Sequence, residues 1–302
     1  MPTGASLTAE IVCYFRAMEQ RKPADLRVVD DPFAERFLRK GLRWWLQSAL
    51  SLPWGVHRTV DPWAPGSIGD YVVGRHRFMD DRLLAALEGD AAQVVVLGAG
   101  YDSRGLRFSE MLGERPLFEL DFPATQHRKM QRLASDVAGG ALGARIHYLP
   151  VDFEKDAFDD VLRGSSFEPG RRTFFVWEGV TMYLQPETVR DTLRRLHALS
   201  GPGSELVADL WHRPGGMRPT SVIMRGGGRL LSAIGEPLGL SLPPAETAAF
   251  LAETGWALDE QILANDLQVG YGMVARRVRP SLYVVRATRA SDEPTGTARA
   301  AK

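Results

Sequence analysis

The sequence is poor in cysteine: Cys13 stands alone among 302 residues. One cysteine cannot form an internal disulfide, so a disulfide-held scaffold is excluded and a reducing, cytoplasmic setting is expected. Cys13 lies in the apolar run Ile11-Val12-Cys13-Tyr14-Phe15, which reads as core, with a buried thiol. Long apolar runs are also missing. Nothing approaches the roughly 18 uninterrupted apolar residues of a membrane-spanning helix, so no span is expected. Met1-Pro2-Thr3-Gly4 puts no basic stretch ahead of an apolar one, and no secretory signal is expected. Nor is either charge in excess. Lys plus Arg number 37 and Asp plus Glu number 37, which gives no support to a nucleic-acid binder. The 44% of hydrophobic residues is enough to give a chain of this length a sizeable core, in one large α/β domain or two small ones.

The first 90 residues read as helical. Leu7, Ile11, Tyr14, Phe15 and Met18 recur at helical spacing over 5–20. Asp31-Pro32 would open a second helix carrying Phe33, Phe37 and Leu38 on one face. Residues 41–54 are amphipathic and aromatic, with Trp44, Trp45 and Trp54, as expected of a cover over a ligand pocket or of plain core. Gly55, Pro62, Pro65 and Gly66 mark a loop. A long helix over 68–88 ends at Gly89-Asp90.

From residue 91 the pattern changes. Val94-Val95-Val96-Leu97 is short and wholly apolar, as in a strand buried on both faces. Further strands are expected at 116–121, 146–152, 173–178, 205–210 and 281–287, with helices at 123–135, 186–199 and 246–255 between them. Alternating strands and helices predict an α/β fold with a doubly wound, mostly parallel sheet. Residues 214–245, rich in Gly and Pro, are expected to form an inserted lid. Residues 289–302 are small and polar, and a disordered tail is expected.

Gly98-Ala99-Gly100 follows the first strand. At the carboxyl end of a parallel strand, glycines let the chain turn sharply and a ligand touch its backbone. The second strand ends Glu119-Leu120-Asp121, about 20 residues on, where a carboxylate accepts from ribose hydroxyls. Asp121 is the candidate, and Glu119 shares its strand parity. The third strand ends Val151-Asp152-Phe153. Asp152 could accept from an adenine amino group with Phe153 against the ring, or cap a helix. An NAD(P)-dependent oxidoreductase would share the first two features. The third glycine of the dinucleotide fingerprint is absent, since Ser103 stands there. Asp102 in the turn would oppose phosphates, whereas a cationic sulfonium meets no such conflict. This points to S-adenosylmethionine.

Four segments then carry a resemblance. They are Tyr71-Val72-Val73-Gly74-Arg75-His76-Arg77-Phe78-Met79-Asp80, Leu97-Gly98-Ala99-Gly100-Tyr101-Asp102-Ser103-Arg104, Phe118-Glu119-Leu120-Asp121-Phe122-Pro123-Ala124-Thr125-Gln126, and Trp177-Glu178-Gly179-Val180-Thr181-Met182-Tyr183-Leu184. In order and spacing they resemble the leucine carboxyl methyltransferase family, a branch of class I methyltransferases that includes bacterial small-molecule O-methyltransferases. The resemblance implies a Rossmann-like methyltransferase sheet over 91–288 under an N-terminal helical cover, 1–90. It implies S-adenosylmethionine as cofactor, S-adenosylhomocysteine as product and no metal. Arg75 would pair with the methionyl carboxylate, a contact suited to a guanidinium; without the resemblance it reads as a surface ion pair with Asp70 or Asp80. Gly98 would line the cofactor, with Gly100 beside it in the turn. Asp121 would hold the ribose, Asp152 and Phe153 the adenine, and Glu178 the methionyl amine. Tyr183 would face the transferred methyl.

The expected acceptor is a small molecule, bulky and partly aromatic, with a carboxylate or a hydroxyl; a protein C-terminal carboxylate is the other acceptor known in the family. A carboxylate is already anionic near neutral pH and needs no base, whereas a phenol is helped by one. His212, after the fifth strand, is the base candidate; His57, His76 and His127 are weaker ones.

Overall fold

The computed structural model describes residues 6–49, 68–137, 145–153, 155–212, 239–273 and 282–290. Trp54, His57 and most of the expected lid lie outside them.

Helix α1 spans Leu7–Glu19, and the Ser6 hydroxyl caps it by accepting from Ala9 N at 3.1 Å. Its Cys13, Tyr14, Phe15 and Ala17 are buried. Cys13 Sγ donates to the Ala34 carbonyl at 3.1 Å, and burial pushes the thiol up to about 12. It is an inert core thiol, as its apolar neighbours suggested. The helix expected from Asp31-Pro32 is only a 3-10 turn, Ala34–Phe37. There the Asp31 carboxylate accepts from Phe33 N at 3.1 Å, and Leu38 leaves in extended conformation. Phe37 and Leu38 still reach the core. Helix α2 (Lys40–Ala49) follows, then α3 (Ile68–Glu88). Among the described residues no helix is long and apolar enough to cross a membrane.

The strands are β1 (Gln93–Leu97), β2 (Leu117–Asp121), β3 (Ile146–Pro150), β4 (Thr173–Trp177), β5 (Glu205–Trp211), β6 (Trp256–Leu263) and β7 (Leu282–Arg289). They form one seven-stranded sheet in the order β3-β2-β1-β4-β5-β7-β6. The first five are parallel; β7 runs antiparallel to both β5 and β6. Between them lie α4 (Arg104–Arg107), α5 (Ser109–Leu112), α6 (Pro123–Val137), α7 (Phe158–Arg163), α8 (Pro186–Leu199), α9 (Thr247–Ala252) and α10 (Ala264–Gly270).

Successive residues of a strand point to opposite faces, and the apolar runs divide accordingly. Val94, Val96, Phe174, Val176 and Val207 join one core with Tyr71, Phe78 and Leu83 of α3. Val95, Leu97, Phe175, Trp177 and Leu206 join another with Val189, Leu193 and Leu196 of α8. Both faces are covered, so the sheet is doubly wound and Rossmann-like. The central strands β1 and β4 are buried throughout for that reason, whereas the edge strand β3 is only partly buried.

Three expectations differ. Strand β6 and helix α10 were not foreseen. The described end of the expected lid is core: Leu240 and Leu242 are buried, and Leu240 N and Leu242 N donate to Leu184 O and Trp211 O at 2.8 and 2.9 Å. The tail was expected from residue 289, but Arg289 ends β7; 291–302 are outside the described residues.

Candidate functional site

The carboxyl ends of β1, β2, β3 and β4 converge on one cavity of about 420 Å³, with α1 across it. The turn after β1 uses left-handed backbone at Gly98 (φ 62°) and Gly100 (φ 51°), which glycine adopts without strain. A β-carbon on Gly98 would stand 2.3 Å from Val180 Cγ2, and one on Gly100 would stand 3.1 Å from Ala9 Cβ. Only glycines let the β4 loop and α1 close on the turn. Asp121, at the end of β2, locks this turn. Its Oδ2 accepts from Gly100 N at 2.6 Å and its Oδ1 from Phe122 N at 2.7 Å. Burial pushes its carboxyl up to about 6, although those two donors favour the anion. Asp152 lines the cavity after β3, and its carboxylate takes Lys155 Nζ at 2.9 Å.

A buried charged cluster forms the deep wall. Arg75, on α3, donates from Nε to Glu178 Oε1 at 3.1 Å and from Nη1 to Asp209 Oδ2 at 2.7 Å. Its Nη2 is buried with no hydrogen-bond partner among the described residues. Asp209, on β5, also accepts from Gly179 N at 2.5 Å and so fixes the loop that carries Glu178. Glu178 Oε2 lies 2.9 Å from His76 Nδ1 and accepts from Arg104 Nη2 at 2.8 Å. Burial would raise the Glu178 carboxyl, but His76, Arg104 and Arg75 hold it well below the usual carboxylate range. Burial and Arg104 push the imidazole of His76 down, which favours its neutral form. A neutral ring beside a carboxylate carries its proton on the nearer nitrogen. Nδ1–H therefore donates to Glu178, and Nε2 accepts from Arg107 Nη2 at 2.8 Å.

Arg75, Gly98, Gly100, Asp121, Asp152, Phe153, Glu178 and Tyr183, scattered over more than 100 residues of sequence, all line this one cavity. His212 follows β5 and is not among the lining residues. Glu119 also stands apart. It is buried against Lys129 Nζ at 2.5 Å, and burial pushes its carboxyl up to about 7. Arg75 is no surface ion pair: its partners are Glu178 and Asp209, not Asp70 or Asp80. Asp102 does not present a free charge to the turn, contrary to the expectation that it would oppose phosphates. Its Oδ1 accepts from Arg104 N at 2.7 Å and its Oδ2 pairs with Arg104 Nη1, so its charge is neutralised within the protein. Trp44, expected over the pocket, is 68% exposed and points to solvent. His127 sits on α6, bonded to Gln131. Arg16, Arg104 and Asp209 were missed. Only the fold brings Arg16 and Asp209 to this site, and a lone Arg or Asp carries no periodic signal; Arg104 closes the glycine-turn segment, but nothing local pairs it with Glu178.

Fold and site define a class: an S-adenosylmethionine-dependent methyltransferase of the Rossmann-like type. The chain belongs to the leucine carboxyl methyltransferase family, which matches residues 9–197. A Parafrankia protein provisionally named an S-adenosyl-L-methionine-dependent methyltransferase is 34% identical over 215 residues, 68% of this chain and 63% of its own length. This chain thus matches less than two thirds of that relative. A Frankia alni protein with the same provisional name is 31% identical over 271 residues, 90% of this chain and 88% of its own. A crystal structure titled as a DUF574 family protein from Streptomyces avermitilis superposes with a TM-score of 0.59 at 13% identity, covering 95% of this chain and 98% of that one. That likeness concerns the fold alone.

The cavity fits the cofactor of this class. The orphan Arg75 Nη2 leaves a donor that a ligand carboxylate can satisfy. In the connected cluster the carboxylates of Asp31, Asp80, Asp102, Glu178 and Asp209 outnumber the guanidiniums of Arg16, Arg75, Arg104 and Arg107. That imbalance suits a ligand bearing an ammonium and a sulfonium. Among the described residues no group of three or more His, Cys, Asp or Glu could hold a metal ion.

Proposed function

We propose that the chain methylates an oxygen of a small molecule, a carboxylate in preference to a hydroxyl. The observation that carries the cofactor side of this is the buried Arg75–Glu178 pair, two residues that line the cavity, with Arg75 Nη2 left without a hydrogen-bond partner among the described residues. S-adenosylmethionine supplies an electrophilic methyl on sulfur. Arg75 Nη2 binds its carboxylate and Glu178 its ammonium. Asp121 accepts from the ribose hydroxyls; each carboxylate oxygen can take two bonds and holds one from the backbone. Asp152 accepts from the adenine amino group, with Phe153 against the ring. Tyr183 flanks the transfer path, while α1, through Ala9 and Val12, excludes water. Holding acceptor oxygen and methyl in line can supply roughly 7–11 kcal/mol of the barrier.

The preference for a carboxylate rests on the bases at hand. The one imidazole among the described lining residues is His76, and both its nitrogens are engaged by charged neighbours. An acceptor with a pKa near 4 is already a nucleophile at neutral pH. Incubation with S-adenosylmethionine and panels of carboxylic acids, phenols and amines tests this by mass. Methyl esters are expected. Products confined to the amines would refute the reading.

Two further outcomes follow. His212→Ala should leave the rate unchanged at every pH; loss near neutrality with recovery at high pH would make His212 a base after all. The second concerns Asp121. Its folded pKa of about 6 lies above the unfolded value near 4. Protonation therefore stabilises the fold, and that contribution is lost as pH rises from about 4 to about 6. The ribose is better held by the anion, so S-adenosylhomocysteine affinity should fall as pH is lowered through 6. Calorimetry at pH values on either side checks this, and equal affinities would remove Asp121 from the ribose.

A further inference from the structure

We infer that Arg104 is the positioning residue of this site: it makes the cavity select ligands bearing an amino-acid end, by fixing Glu178 from behind. The inference rests on the methionyl assignment above.

Arg104 is fully buried and is not among the residues lining the cavity, so it does not meet the ligand. It opens α4, directly after the glycine turn. Nε donates to Asp80 Oδ1 at 2.7 Å, and Nη1 pairs with Asp102. Nη2 donates to Glu178 Oε2 at 2.8 Å and to the His76 carbonyl at 3.2 Å. Each nitrogen of the guanidinium is thus spoken for, and its plane is set by three carboxylates on three segments.

The consequence falls on the two oxygens of Glu178. Oε2 takes the N–H groups of His76 and Arg104, which fills its two lone-pair sites. Oε1 takes one, from Arg75 Nε at 3.1 Å. One acceptor site on Oε1 remains, on the carboxylate whose side chain is 10% exposed while that of Asp209 is fully buried. Beside it lies the orphan Nη2 of Arg75. One free acceptor and one free donor side by side match the ammonium and carboxylate on the α-carbon of an amino acid. Arg104 holds that pattern in register: a freed Glu178 could turn both oxygens toward Arg75 and use up the vacant site.

Two adenosyl ligands test this. S-adenosylhomocysteine carries the amino-acid end and 5′-methylthioadenosine lacks it; both present the same ribose and adenine. Their affinities are measured by calorimetry for the wild type, Arg104→Lys, Arg104→Gln, Glu178→Gln and the double variant Arg104→Lys/Glu178→Gln. A charge-assisted hydrogen bond lost from the clamp predicts roughly a tenfold or greater loss of S-adenosylhomocysteine affinity in Arg104→Lys. Affinity for 5′-methylthioadenosine should be unchanged, which also reports an intact fold. In the Glu178→Gln background Arg104→Lys should have little further effect, since the two residues act through one carboxylate. If both ligands weaken together, or neither does, Arg104 is structural only and the inference fails. Arg104→Gln should weaken S-adenosylhomocysteine alone in the same way; if it does not fold, the lysine variant and the cycle decide. If the wild type binds 5′-methylthioadenosine as tightly as S-adenosylhomocysteine, the methionyl assignment falls instead.

Discussion

Arg75→Met should reduce S-adenosylhomocysteine affinity by roughly a hundredfold and lower the unfolding midpoint in the same variant. Two effects combine. The ligand loses its carboxylate partner, and a hydrogen bond to a charged group contributes about 1.5–3 kcal/mol. Within the protein, Asp209 Oδ2 and Glu178 Oε1 each lose the guanidinium. Burial already raises the Asp209 carboxyl against the pull of Arg75. Breaking a buried pair from one side costs about 3–5 kcal/mol. Calorimetry and thermal unfolding on the same sample separate the two. Lower stability with unchanged affinity would make Arg75 a purely structural residue.

Asp121→Asn should weaken S-adenosylhomocysteine at least tenfold while stability changes far less than in the Arg75 variant. The carboxylate bridges Gly100 N and Phe122 N and still has an acceptor site on each oxygen for the ribose. The amide keeps one oxygen, so one backbone donor is orphaned and the ribose faces an NH₂ group. On the stability side, removing a carboxyl whose folded value is about 6 relieves an unfavourable ionisation at neutral pH. That partly offsets the lost backbone bond. The variant should also lose the fall in affinity below pH 6. Tight binding in Asp121→Asn would sink the ribose assignment.

Much of this was readable from the residues because burial on both faces leaves a plain trace. Val94-Val95-Val96-Leu97 and Phe174-Phe175-Val176-Trp177 are apolar at every step, since the sheet has helices on both sides. Strand β6, Trp256–Leu263, was illegible for the converse reason. It is the antiparallel edge, where Asp259 is exposed and Glu260 and Gln261 are only partly buried. The segment at Asp31 differs because the Asp31 carboxylate closes a local turn onto Phe33 N ahead of one short 3-10 turn, and a helix-start signal does not distinguish that from a full helix. Within the site, the residues at strand ends were legible by position. Their supports were not. Arg75 to Asp209 spans 134 positions and Arg104 to Glu178 spans 74, and no local pattern pairs charges at that range. Asp102 shows the cost: taken alone it repels a phosphate, but folded it is the partner of Arg104.

The most direct measurement is a thermal unfolding series on the wild type with S-adenosylmethionine, S-adenosylhomocysteine, NAD and NADP in separate samples. A ligand at a hundred times its dissociation constant adds about 2.7 kcal/mol, enough for a clear rise in midpoint. The midpoint should rise with the two adenosyl-sulfur ligands and stay put with the two dinucleotides. A rise with NAD or NADP and none with S-adenosylmethionine would contradict the assignment of this cavity.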